Sequence, residues 1–280
     1  MVAHRSRGAQ RQRVVIIGGG VAGVAVGAAL RSDGFPGRLL LVSDECALPY
    51  RRSLLATAYL RGQASRGDLL IHPAEWYRQT RIDLLLGARA TRIDRLARTV
   101  EIRGHGPVRY DRLVLATGRA EHVPAGLRSA HGIASVAAVD ALRADARTAG
   151  TAIVVGTGTV ADDAAAALRS LGPRVTQIHP DALRDGADAA DLADLVVRAL
   201  GTRPDTRLAS NAGLGSLTRV STDPAGRTID PAIVATGGLL GIEDEAAAAT
   251  HAMAAARAVL GMDDIPAIDG RPPSPAGAAR

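Results

Sequence analysis

The stretch RVVIIGGGVAGVAVGAALRS, residues 13–32, decides the reading of this chain. Arg13–Ile17 is a short apolar run bounded by glycine, which predicts a buried strand. Gly18–Gly20 predicts a tight turn, and Val21–Ser32 an alanine- and valine-rich helix. Leu39–Val42 follows as a second buried strand, so the segment reads as a strand–helix–strand unit. The glycines fall at Gly18, Gly20 and Gly23, a GxGxxG spacing. In such a turn the first glycine permits the sharp bend and the second lets backbone approach a pyrophosphate. The third lets helix and strand pack closely. Val21 and Ala22 open the helix whose N-terminus would face the phosphates. Asp44 and Glu45 follow the second strand, where a carboxylate accepts hydrogen bonds from a ribose diol. The expected ligand is an adenine dinucleotide.

Further along, Tyr110-Asp111 precedes the apolar run Leu113–Ala116, then Thr117-Gly118 and, six residues later, Pro124. Gly156-Thr157-Gly158-Thr159-Val160-Ala161 repeats the glycine turn between predicted strands Ala152–Val155 and Arg174–His179, with helix Val160–Leu171 between them. With LPYRRSLLATAYLRG, ARATRIDRLARTVEI and RTIDPAIVATGG, these segments resemble the FAD-dependent pyridine nucleotide oxidoreductases, and most of all the rubredoxin/ferredoxin reductase branch. The resemblance covers most of residues 12–261.

That resemblance implies an α/β fold with two Rossmann-like units. The FAD domain is discontinuous, residues 13–124 and 221–262. An abbreviated NAD(P)-type domain, 125–220, is inserted between its parts, and tails lie at 1–12 and 263–280. It implies that NAD(P)H reduces the flavin by hydride transfer and that electrons then pass to an acceptor protein or small molecule. It places Arg52, Thr117 and Gly118 near FAD, and Gly156 and Gly158 at a nicotinamide-coenzyme turn. NAD(P)H is expected to bind weakly.

Departures from the pattern are as informative. The family's flavin-side lysine falls on Thr57, and its late Gly-Asp, whose carboxylate meets the flavin chain, falls on Gly237-Gly238. Asp163 takes the place of a glutamate, and His179 stands where an acid or arginine would choose between coenzymes. Only fifteen residues, Pro180 to Asp194, separate two predicted strands of the inserted unit, too few for a further crossover and its strand. The last predicted helix, Glu243–Leu260, opens on Glu243, Asp244 and Glu245. Such acids either favour the helix dipole or oppose charge on a reduced flavin. The alternative to a working enzyme is a non-catalytic subunit that keeps the ADP half of the site and has lost the flavin half.

Composition narrows the rest. Of 280 residues 47% are apolar and 2% aromatic, so the core must be aliphatic. The net charge is +6, and every basic residue other than histidine is arginine, which excludes lysine chemistry. The arginines are scattered, apart from Arg5, Arg7, Arg11 and Arg13, and six aromatics do not furnish a nucleic-acid surface. Cys46 is alone, which excludes a CxxC pair or a cysteine-rich metal site and fits a cytoplasmic protein. The run Val14–Leu30 follows arginines, as in a signal peptide, but its glycines sit at turn spacing and its partner strand lies beyond it. No membrane role and no metal are expected. The segment 271–280, rich in proline, reads as a disordered tail.

Overall fold

The computed structural model describes residues 12–182 and 193–261. Arg5, Arg7, Arg11, both predicted tails apart from Gln12, and most of the 180–194 connection lie outside the described residues.

The first strand, β1 (Arg13–Ile17), and helix α1 (Val21–Ser32) form where the pattern predicts. Strand β2 (Arg38–Val42) pairs with β1 in parallel register, Val15 opposite Leu40. These join β3 (Ile82–Leu85), β7 (Arg112–Leu115) and β13 (Ile233–Ala235) in a five-stranded sheet of order β13-β7-β1-β2-β3. β13 pairs parallel to β7, so the chain returns to its first unit near its end. Both faces of this sheet are covered, which is why its strands are continuously apolar. On one face α1 packs with the long last helix, residues Glu245–Leu260. Val24, Leu30, Ala252 and Ala256 pack there with Ile16 and Val114. On the other face Val15, Leu113 and Ile233 meet Ile93 and Val100 of an antiparallel sheet of β4 (Ala90–Asp94), β5 (Thr99–Ile102) and β6 (Gly106–Arg109). Each fully buried Leu or Ile stabilises the fold by about 1.5–3 kcal/mol relative to exposure.

The inserted unit holds helix α2 (Val136–Ala146), β9 (Thr151–Val155), helix α3 (Thr159–Leu171), β10 (Arg174–Ile178) and β11 (Leu195–Arg198). Its parallel sheet has the order β10-β9-β11. Its alanine-rich helix brings Ala161, Ala164 and Leu168 against Val154 and Val197. Tyr50, Leu55, Tyr59 and Leu60 belong to the same core, so the segment after β2 crosses to the inserted unit. The two parts are joined by an antiparallel ribbon, β8 (Arg119–Glu121) against β12 (Thr202–Pro204).

Several boundaries differ from the sequence expectation. The apolar run expected over Leu113–Ala116 forms β7 from Arg112, separate from β6, because Tyr110-Asp111 turns the chain and Asp111 accepts the Arg13 N–H at 2.6 Å. The ribbon carries no alternating pattern and is not legible locally. Residues 55–59 form a single π-helical turn after a 3-10 turn. The last helix begins at Glu245, because Asp244 caps it by accepting the Ala247 N–H at 2.7 Å. Leu208, Ala209, Leu214 and Val220 pack in the core beneath the five-stranded sheet. Among the described residues, no helix is long and apolar enough to cross a membrane.

Candidate functional site

A cavity of about 820 Å³ opens at the carboxyl ends of β1, β2 and β7 and runs to the ribbon and the end of β11. Each glycine of the first turn has a distinct reason. A Cβ on Gly18 would fall 1.9 Å from the Ala116 carbonyl oxygen, and its φ of 123° excludes most side chains. A Cβ on Gly23 would lie 2.0 Å from the Gly18 oxygen, so this position lets α1 touch the turn. Gly20 differs, because a Cβ there would meet nothing within 4 Å and would project into open space on the cavity wall. Gly20 is also the cap of α1, offers no side-chain acceptor, and no acid follows in the first turn. The first helical N–H groups are therefore left to an anionic ligand. Val21 and Ala22 line the same wall. This cradle fits the pyrophosphate of a dinucleotide.

The two acids after β2 take different tasks. Asp44 lines the cavity. Glu45 accepts the Tyr50 hydroxyl at 2.6 Å and Arg52 Nη2 at 2.6 Å. Burial and the bond to Glu45 push the Tyr50 phenol up from its usual range, so it stays a proton donor. Arg52 still reaches the cavity wall. Thr117 and Gly118 also line it, and they are tied to Asp205, which directly follows β12. Thr117 Oγ1 donates to the Asp205 oxygen at 2.7 Å, and the Asp205 N–H to the Gly118 oxygen at 3.0 Å.

At the far end Gly237 has φ 71°, and a Cβ there would come 2.5 Å from the Ala22 Cβ. Gly238 lies on the cavity wall, and a Cβ would press 2.9 Å from the Arg119 Cγ. Arg119 donates to Thr202 Oγ1 at 2.7 Å and pairs with Glu243 at 2.9 Å. The stem of an arginine therefore lies beside the position where the resemblance leads one to expect a carboxylate. Nearby, Glu121 accepts the Ile133 and Ala134 N–H groups, both at 2.7 Å, and pairs with Arg198 at 3.1 Å. Sequence reasoning missed Arg119 and the Glu121–Arg198 pair. Arg119 directly follows Thr117-Gly118, which was a usable signal; Arg198 at a strand end offered none.

The second glycine turn copies the first in part. A Cβ on Gly156 would lie 2.2 Å from the Ala199 oxygen, and one on Gly158 would meet nothing within 4 Å. Neither glycine lines the cavity, which reaches this unit through Val160 and Ala199–Thr202. His179 is exposed beside Asp181 at 3.4 Å. Asp163 pairs with Arg61 at 3.3 Å, and Thr57 donates weakly to Ser53 at 3.4 Å. Among the described residues no cluster of His, Cys, Asp and Glu could hold a metal.

Residues 12–191 match the pyridine nucleotide-disulphide oxidoreductase family. The chain belongs to that FAD-dependent oxidoreductase family, the class that the doubled glycine turns and the cavity define. Within it the similar proteins are reductases of electron carriers. Rhodocoxin reductase of Rhodococcus erythropolis is 37% identical over 59% of this chain and 40% of its own length. The ferredoxin–NAD(+) reductase component of the biphenyl dioxygenase system of Paraburkholderia xenovorans is 32% identical over 68% of this chain and 45% of its own. The chain thus spans less than half the length of these relatives in alignment. In fold it is similar to putidaredoxin reductase in its covalent complex with putidaredoxin. The TM-score is 0.81 at 24% identity, covering 89% of this chain and 75% of that one. The ferredoxin reductase for the CYP199A2 system of Rhodopseudomonas palustris gives 0.81 at 24%, covering 94% and 79%.

Proposed function

We propose that this chain holds FAD in the cavity and passes electrons from NAD(P)H through the flavin to an acceptor. The relatives, among them a ferredoxin–NAD(+) reductase component, point to a small electron-carrier protein of the ferredoxin class as that acceptor. The observation that carries the reading is Gly20: its missing side chain leaves open space at an uncapped helix N-terminus, inside a cavity of dinucleotide size. Asp44 would take the adenosine ribose, Gly18–Ala22 the pyrophosphate, and Thr117, Gly118, Arg52 and Gly238 the wall of the flavin half. FAD, when bound, supplies the two-electron redox chemistry; the protein supplies orientation and electrostatics. No side chain is assigned a proton-transfer role.

Nicotinamide coenzyme would meet Gly156 and Gly158 weakly, because His179 offers no carboxylate to the ribose diol. The proposed FAD part is 13–124 with 221–262 and the inserted unit 125–220; the packing of Leu208–Val220 beneath the five-stranded sheet favours moving that boundary back to 207. The cytoplasm is the proposed compartment, from the lone Cys46. A second reading, a nucleotide-binding subunit without redox function, is favoured by Gly238 and Thr57, which put neither the carboxylate nor the cation of the resemblance at the flavin half. One experiment separates them. The purified protein should be yellow, and NADH or NADPH should bleach it anaerobically; a colourless protein that binds ADP supports the second reading.

A further inference from the structure

The adenosine end of the cavity has an unusual wall. In the five-stranded sheet β2 lies between β1 and β3. The pyrophosphate cradle is at the end of β1 and Asp44 at the end of β2. A base attached beyond the ribose must therefore lie toward the chain that follows β3. That chain is residues 87–91, held beside the Asp44 segment by Gly87 N–H to the Glu45 oxygen at 2.9 Å and Ala88 N–H to the Ser43 oxygen at 2.8 Å. Ala88, Arg89, Ala90 and Thr91 line the cavity there, with Arg103, whose N–H bonds the Arg89 oxygen at 2.9 Å.

A purine needs a flat partner, and aromatic rings are scarce. Among the described residues on the cavity wall, Tyr50 is the one Phe, Tyr or Trp, and its hydroxyl is committed to Glu45 and the Val136 N–H. The imidazole of His122 lines the cavity at the ribbon end, so at the adenosine end guanidinium groups are the remaining planar surfaces. Three arginines reach this end. Arg207 is paired with Asp205 at 3.0 Å. Arg89 and Arg103 line the cavity, yet neither guanidinium has a hydrogen-bond or ion-pair partner among the described residues. Two unneutralised, exposed guanidinium groups, one just before β4 and one just after its neighbour β5, are free to turn over a ring placed between Asp44 and Ala88.

We propose that Arg89 and Arg103 are the adenine clamp of this site: their guanidinium planes stack on the purine and make the cavity select adenine dinucleotides over flavin mononucleotide. Arginine stacks on aromatic faces through its delocalised plane, whereas lysine acts as a compact point charge. Two exposed contacts of this kind together account for a factor of about ten in affinity.

The inference rests on the FAD reading, and the test keeps the two apart. The full chain, stripped of bound cofactor, is titrated calorimetrically with ADP, FAD and FMN. The R89A/R103A variant should bind ADP and FAD about tenfold more weakly than the unaltered chain and bind FMN equally well. The R89K/R103K variant keeps the charge and loses the plane, and should recover only a minor part of the loss. An alanine variant within twofold of the unaltered chain for ADP would overturn the clamp and leave the FAD reading standing. A lysine variant equal to the unaltered chain would also overturn it, assigning the arginines to charge attraction alone. If the unaltered chain binds ADP but not FAD, the flavin reading fails and the ADP arm alone decides the clamp. Binding of neither overturns both.

Discussion

Arg119 and Glu243 meet at 2.9 Å beside Gly238, and this contact changes the electrostatics expected from the acidic start of the last helix. The three consecutive acids have three different occupations. Glu243 pairs with Arg119, Asp244 caps the helix, and Glu245 pairs with Arg51 at 3.6 Å and accepts the Ser53 N–H at 3.3 Å. Glu243 is also 73% exposed, so solvent screens it. Neutralising all three, to Gln, Asn and Gln, removes negative charge at this end and frees two arginines. The flavin midpoint potential should rise, by about 30 mV for each tenfold change in the ratio of affinities for reduced and oxidised flavin. Arg119→Gln should lower it. Potentiometry giving no shift for either would place both groups too far from the ring to matter.

Gly20 and Gly18 separate binding from folding. Gly20→Val adds a side chain where nothing stands within 4 Å, on a backbone of φ −83° that any residue adopts. Thermal stability should stay within about 0.5 kcal/mol of the unaltered chain, while bound FAD is lost. Gly18→Val drives a Cβ into the Ala116 oxygen and should cost solubility and folding as well. Undiminished FAD content in Gly20→Val would refute the cradle.

The inserted unit should bind NADH and NADPH weakly. Gly156 and Gly158 stand off the cavity wall, and His179 faces solvent next to Asp181. Calorimetry showing micromolar affinity for either coenzyme would mean that this unit is a complete site.

His251 gives the fold a pH dependence. Burial holds its imidazole below the ordinary 6.5, against the opposing pull of the Pro224 carbonyl and Asp223. Its Nδ1 lies 2.9 Å from the buried Thr236 hydroxyl. The folded state therefore binds the proton less readily than the unfolded one, and stability is lost as pH falls from about 6.5 through the lowered folded value. The melting temperature should drop over that window, and His251→Gln should flatten the drop. Equal slopes for both proteins would remove His251 as the cause.

Cys46 is exposed and lies outside the cavity wall. Cys46→Ser should leave FAD content and any turnover unchanged; a large loss of turnover would reveal a thiol role.

The local features were legible in the sequence because each rests on a short stretch of chain. A glycine turn between an apolar run and a helix-forming one names its own strand and helix, and β1, α1, β9 and α3 form within a residue of expectation. Gly18 and Gly23 are dictated by backbone contacts that any such turn must make. Tertiary structure decided what no local pattern encodes. It chose Asp44 over Glu45 for the cavity, because Tyr50, packed on the inserted unit, and Arg52 take the Glu45 carboxylate. It brought Arg119, Thr202, Gly238 and Glu243 together from three segments, and Glu121 to Arg198 across the ribbon. Charges so distant in sequence leave no periodicity, and only the folded chain brings them within a few ångströms of each other, where their attraction counts.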